Sequence, residues 1–96
     1  MEKAIELISK ERERQINVKG YDINHDDKEC NSQLAYAACC YAVPECSTRK
    51  LILNWAWKWN LKYWEPTPDN RIKELVKAGA LIVAEIERLQ RLNKLL

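Results

Sequence analysis

Ile72-Lys73-Glu74-Leu75-Val76-Lys77-Ala78-Gly79-Ala80-Leu81-Ile82-Val83-Ala84-Glu85-Ile86-Glu87-Arg88-Leu89 is the stretch that decides the fold. Within it Ile72, Leu75, Val76, Gly79, Ile82, Val83, Ile86 and Leu89 recur at the three-and-four spacing that lines one side of a helix. Glu74, Lys77, Glu85, Glu87 and Arg88 fall mostly elsewhere on the wheel. The pattern predicts a long amphipathic helix whose apolar stripe meets the rest of a bundle, continuing more weakly to Leu96. Thr67-Pro68-Asp69 reads as its start, with a capping hydroxyl, Pro at the first helical position and an acid in the first turn. Gly79 inside a helix costs about 1 kcal/mol relative to Ala. Its expected use is close approach, with Ala78-Gly79-Ala80 laid against another small-residue helix.

That second helix is expected over Gln33 to Val43, where Ala35, Ala37, Ala38, Cys39, Cys40 and Ala42 leave little side-chain bulk. Asn31 or Ser32 would cap it and Pro44 would stop it. Cys39 and Cys40 are read as small buried apolar residues, and Tyr36 and Tyr41 as edge fillers whose hydroxyls find polar partners. Glu2 to about Ile16 forms the opening helix, with Ile5, Ile8, Arg12 and Ile16 in line, and Val18 to Gly20 end it. Between Ser47 and Lys62 a short helix is expected to run into an extended connection, because Trp55, Trp57 and Trp59 alternate with Ala56, Lys58 and Asn60. The sum is an all-α chain, a single domain over residues 1–96. It is read as a small bundle of three to four helices with a long C-terminal helix and a Trp-rich extended connection.

Composition bounds the function. Hydrophobic residues make up 47% and charged residues 31%, with two glycines and three prolines, which argues for a folded chain. The net charge of +2 contains no block of like charge, so the basic stripe needed for duplex nucleic acid is missing. The four cysteines form no C-x-x-C pair, and one His is a poor complement to them, so no metal site is expected. No apolar leader follows Met1 and no run of about 18 apolar residues could span a bilayer, so no membrane partner and a cytoplasmic location are expected. At this size only about 60 to 65% of the unfolded surface can be buried, and Leu92, Leu95 and Leu96 lack an obvious partner in one small bundle. A homo-oligomer is therefore expected.

One polar run stands apart. Gly20-Tyr21-Asp22-Ile23-Asn24-His25-Asp26-Asp27 holds the only histidine and three of the four aspartates. In such loops Asp and Asn commonly bind their own backbone or cap the next helix. The alternative is a polar site in which Asp26 and Asp27 fold against the guanidinium of Arg12. Trp57 and Trp64 would then stack a base, Arg71 and Lys73 near the start of the last helix would meet phosphate, and His25 and Asp26 would bond polar edges. The competing structural role of the tryptophans is core packing.

Glu11-Arg12, Arg14-Gln15, Gly20-Tyr21, His25-Asp26-Asp27, Leu34-Ala35, Tyr41-Ala42, Trp55, Trp57, Trp64 followed by Pro66, Arg71 and the Ala78-Gly79-Ala80-Leu81-Ile82 core together resemble a family of small phage- and prophage-encoded accessory proteins. The chain departs from that pattern at Gln33, often Glu in the family, and at Ala56, often Pro. The resemblance implies a phage origin and an accessory role outside virion building, and no particular activity. The expected function is to bind and sequester a host factor, above all a nucleotide signal of host defence, without catalysis and without a cofactor. The alternatives are an Mg²⁺-dependent nucleoside triphosphate pyrophosphohydrolase, with Asp26, Asp27 and Glu11 or Glu13 holding the ion, or a module that grips a host enzyme. Gln33 weakens the first of these, because such enzymes place an acid at the corresponding helix start.

Overall fold

In the computed structural model of the chain, residues 2–20 and 33–95 are described, Leu95 by its backbone alone, and the statements below concern those residues. Four α-helices are found among them, α1 (Ala4–Asn17), α2 (Gln33–Ala42), α3 (Ser47–Ala56) and α4 (Arg71–Leu95), with one 3-10 turn at Leu61–Tyr63 and no strand. The protein is a small all-α bundle with a long C-terminal helix. No described helix is long and apolar enough to cross a membrane.

Each boundary has a local cause. At the start of α1 the Lys3 N–H donates to the Glu6 carboxylate at 3.4 Å. The helix closes where the Val18 N–H reaches the Arg14 carbonyl at 2.8 Å, and Gly20 then takes a left-handed φ of +77°, which only glycine adopts without strain. Trp57 leaves α3 in extended backbone, so Trp55 is helical and the extended part of the connection begins two residues later than the alternation suggests. Helix α4 begins at Arg71 and not at Pro68. Thr67-Pro68-Asp69 forms a turn closed by the Asn70 N–H on the Thr67 carbonyl at 2.8 Å. Asn70 is the cap, its side-chain oxygen accepting from the Lys73 N–H at 3.1 Å. Thr67 is drawn off instead, its N–H donating to the Glu74 carboxylate at 2.9 Å.

Helix α4 packs most extensively on α2, then on α1, while α2 also packs on α3. Leu34, Ala37, Ala38, Cys40 and Tyr41 of α2 meet Ala78, Leu81 and Ala84 of α4, with Ala56 and Trp57 closing one end. The small residues do permit close approach, but Gly79 faces the other way. A Cβ built on it would lie 2.8 Å from the Ile8 tip, so the glycine admits α1 and not α2. Cys40 is buried as expected, whereas Cys39 is exposed on the far side of the same helix. Burial pushes the Cys40 thiol up to about 11, with the neighbouring Cys39 adding to the shift.

The largest departure from the expected packing concerns which faces are inside. The buried side of α4 carries Glu74, Lys77 and Glu85 beside its alanines, while Ile72, Leu75, Ile82, Ile86 and Leu89 of the apolar stripe are exposed. In α1, Glu11, Arg12 and Gln15 are buried and Ile5 is exposed. The inward charges persist because they are paired. Arg49 of α3 makes a two-pronged contact with Glu74 at 3.1 and 2.6 Å, with both side chains almost wholly buried. Arg88 pairs with Glu85 and Arg14 with Glu11 in the same manner.

Candidate binding pocket beside Trp64

An aromatic cluster organises the end of the bundle where α3 turns into the Trp-rich connection. Trp57 meets Tyr41, Trp59 and Trp64 edge-on at centroid distances of 5.9, 5.2 and 5.2 Å, and Tyr41 lies tilted on Trp64 at 4.6 Å. The polar tips are satisfied. The Trp57 indole N–H donates to the Asn60 carbonyl at 3.2 Å, and the Tyr41 hydroxyl accepts from the Glu65 N–H at 3.1 Å. Trp57 is thus held in the core, supporting the site from behind. The remaining face of Trp64 is covered by the Arg49 guanidinium, 4.8 Å from the ring centre, so the residue offers a ligand its edge.

Beside that edge opens a pocket of about 430 Å³. Leu53, Trp64 and Pro66 give it an apolar wall, Arg49 and Lys50 bring cationic groups, Cys46 and Ser47 supply the start of α3, and Glu45 stands at its rim. Its volume falls in the range of about 300 to 1,000 Å³ typical of small-molecule sites. The first turn of α3 holds no acid, so the positive end of its dipole adds to Lys50, with Glu45 just before the N-cap as the acid beside them. Arg49 is 4% exposed, and its Nε is buried without a hydrogen-bond partner even though the two terminal nitrogens are taken by Glu74. Cys46, the N-cap, is held below the usual thiol range by the Arg49 N–H and, to a lesser degree, by Thr48.

The expected site residues are placed as follows. His25, Asp26 and Asp27 lie outside the described residues, and so does the expected pairing of the two aspartates with Arg12. Arg12 is buried and directs its Nε to the Glu87 carboxylate at 3.4 Å. Trp57 and Trp64 are brought together, but only Trp64 lines the pocket. Arg71 is spent on the fold, because its guanidinium caps the end of α2 through the carbonyls of Tyr41 at 2.9 Å, Val43 at 3.5 Å and Ala42. Lys73 sits apart, along two clefts of about 360 and 290 Å³ that it shares with Glu11 and Arg14 between α1 and the start of α4.

Sequence reasoning missed Arg49, Lys50 and Glu74. The available signal was an arginine beside the apolar Leu51-Ile52-Leu53 run and a glutamate one turn before Ala78, on the side of α4 carrying alanines. Among the described residues no group of three His, Cys, Asp or Glu is arranged to hold a metal ion. A scan against protein-family models and searches of curated proteins and of solved structures found no match to this chain.

Proposed function

We propose that this protein binds and holds a small anionic ligand of the nucleotide class, without turning it over, in the pocket beside Trp64. As an accessory protein of the phage type, it would act by removing such a signal from a host pathway. The observation that supports this reading is the joining, in one pocket of about 430 Å³, of an apolar wall at Trp64 with the positive start of α3 and Lys50. A flat apolar body lies along Leu53, Trp64 and Pro66 while phosphate is drawn to Lys50 and the amides of the first turn. The described acids nearest the core are engaged with arginines: Glu74 with Arg49 and Arg71, Glu11 with Arg14, Glu85 with Arg88. That arrangement favours holding over hydrolysis.

A thermal-shift screen over linear and cyclic nucleotides, with inorganic phosphate as the control anion, tests the proposal. One nucleotide is expected to raise the melting temperature, since a ligand at 100 times its Kd stabilises the folded state by about 2.7 kcal/mol. Lys50→Glu should abolish the shift while leaving the unliganded melting temperature nearly unchanged, because Lys50 is exposed. A flat response across the panel would defeat the proposal. Mg²⁺-dependent release of pyrophosphate would move the reading to the pyrophosphohydrolase class.

A further inference from the structure

The pocket beside Trp64 carries little net charge. Lys50 brings one positive charge and the start of α3 about half of another. Glu45, one residue before the N-cap, takes a full charge away at the rim. Arg49 leaves the balance unaltered, because both of its terminal nitrogens are held by the Glu74 carboxylate and the pair is neutral as a unit. Among the described residues no further cation lines the pocket. We infer that the pocket takes a singly charged phosphodiester, such as a nucleoside cyclic monophosphate, in preference to a phosphate monoester or polyphosphate, and that Glu45 sets this preference.

This selectivity presupposes the binding site proposed above and names the class of ligand it takes. A cyclic phosphodiester carries one negative charge, which Lys50 and the first-turn amides of α3 meet together. A phosphate monoester carries about 1.5 to 2 negative charges at neutral pH, and a triphosphate carries more. Lys50 leaves that surplus unmatched, and the surplus then faces the Glu45 carboxylate at the rim. Neither Glu45 nor Lys50 has an ion-pair partner among the described residues, so no neighbour offsets either charge before a ligand arrives. Repulsion of this kind selects against the wrong ligand while adding no attraction for the right one. The apolar wall at Leu53, Trp64 and Pro66 meets the same base whatever its phosphate, so the difference among such ligands lies in charge.

Isothermal titration calorimetry of the full chain at low salt tests the inference, using the cyclic monophosphate, 5′-monophosphate and triphosphate of adenosine, guanosine, cytidine and uridine, with and without Mg²⁺. Within the series of the base that binds, the cyclic ester should bind at least about tenfold more tightly than the triphosphate, since each surplus charge close to Glu45 costs about fivefold even in water. Glu45→Gln keeps the size of the side chain and removes its charge at an exposed position, so the fold should be retained and that ratio should shrink by about fivefold or more. Lys50→Glu should abolish binding of all three. A triphosphate or 5′-monophosphate that binds the wild type as tightly as the cyclic ester, with or without Mg²⁺, overturns the inference while leaving the site in place, and so does a ratio that Glu45→Gln leaves unchanged. If no nucleotide of any series binds, the site itself is refuted and the selectivity falls with it.

Discussion

The two sides of α4 differ in a way that reverses the usual order. One side carries Glu74, Lys77 and Glu85 and is buried, whereas the other carries Ile72, Leu75, Ile82, Ile86 and Leu89 and is exposed. The difference teaches that burial here is allotted by geometry. Alanines at 78, 80 and 84 let the helix sit close against α2, and the charges on that side are held by partners: Glu74 by Arg49 of α3 and by Arg71, Glu85 by Arg88, and Lys77 by the Glu65 carbonyl. Ile72, Leu75, Ile82, Ile86 and Leu89 lie off that seam.

The comparison breaks most readily at Glu74. Glu74→Ala leaves Arg49 buried with its carboxylate removed and should cost about 3 to 5 kcal/mol in urea unfolding, a large part of the roughly 5 to 14 kcal/mol available to a chain this size. Glu74→Leu combined with Arg49→Met should recover most of the loss, because both charges then leave the interior together. A Glu74→Ala cost below about 1 kcal/mol would show that the pair is effectively solvated.

Leu81 and Ile82 sharpen the contrast, being adjacent in sequence, one buried and the other exposed. Leu81→Ala should cost about 2 to 5 kcal/mol at any protein concentration. Ile82→Ala, at an exposed position, should cost under about 0.5 kcal/mol in the same measurement.

Acid titration gives a further, smaller effect. Burial pushes Glu74 up, but the hydrogen bonds from Arg49 and the Thr67 N–H outweigh it and hold the carboxyl below its ordinary value of 4.5. The folded state therefore binds fewer protons than the unfolded state in that range. The stability from Glu74 is complete above the ordinary value and is lost as pH falls through the depressed one. Unfolding curves at neutral and acid pH should show this loss in the wild type and a reduced loss in Glu74→Gln.

The smallest effect leaves stability untouched. Among the three cysteines of the described residues, exposed Cys46, with its lowered thiol, should react first with a disulfide reagent near neutral pH, Cys39 more slowly, and Cys40, buried and raised to about 11, only on unfolding. Equal rates for Cys46 and Cys40 would mean that the end of α2 opens freely.

Much of the fold was legible because helix signals are local. The period of Ile72 to Leu89 announced α4, Pro44 and the alanines bounded α2, and the Trp-rich segment ran from helix into extended chain, though two residues later than its alternation suggested. The site was less legible. Trp64 was named, and it lines the pocket, but Arg71 and Trp57 were given ligand roles that the packing instead assigns to a helix cap and to an aromatic core. Nothing local distinguishes an arginine that meets a phosphate from one that closes three carbonyls.

By itself the sequence determined that this chain is helical, where its long helix lies and that the helix is two-faced, since these depend on neighbours within two turns. Only the tertiary structure decided which face goes inside. That choice depends on what a distant segment brings to it, and here Arg49, 25 residues away from Glu74 in the chain, supplies the countercharge that lets Glu74 be buried beside the alanines and Leu81 of the seam.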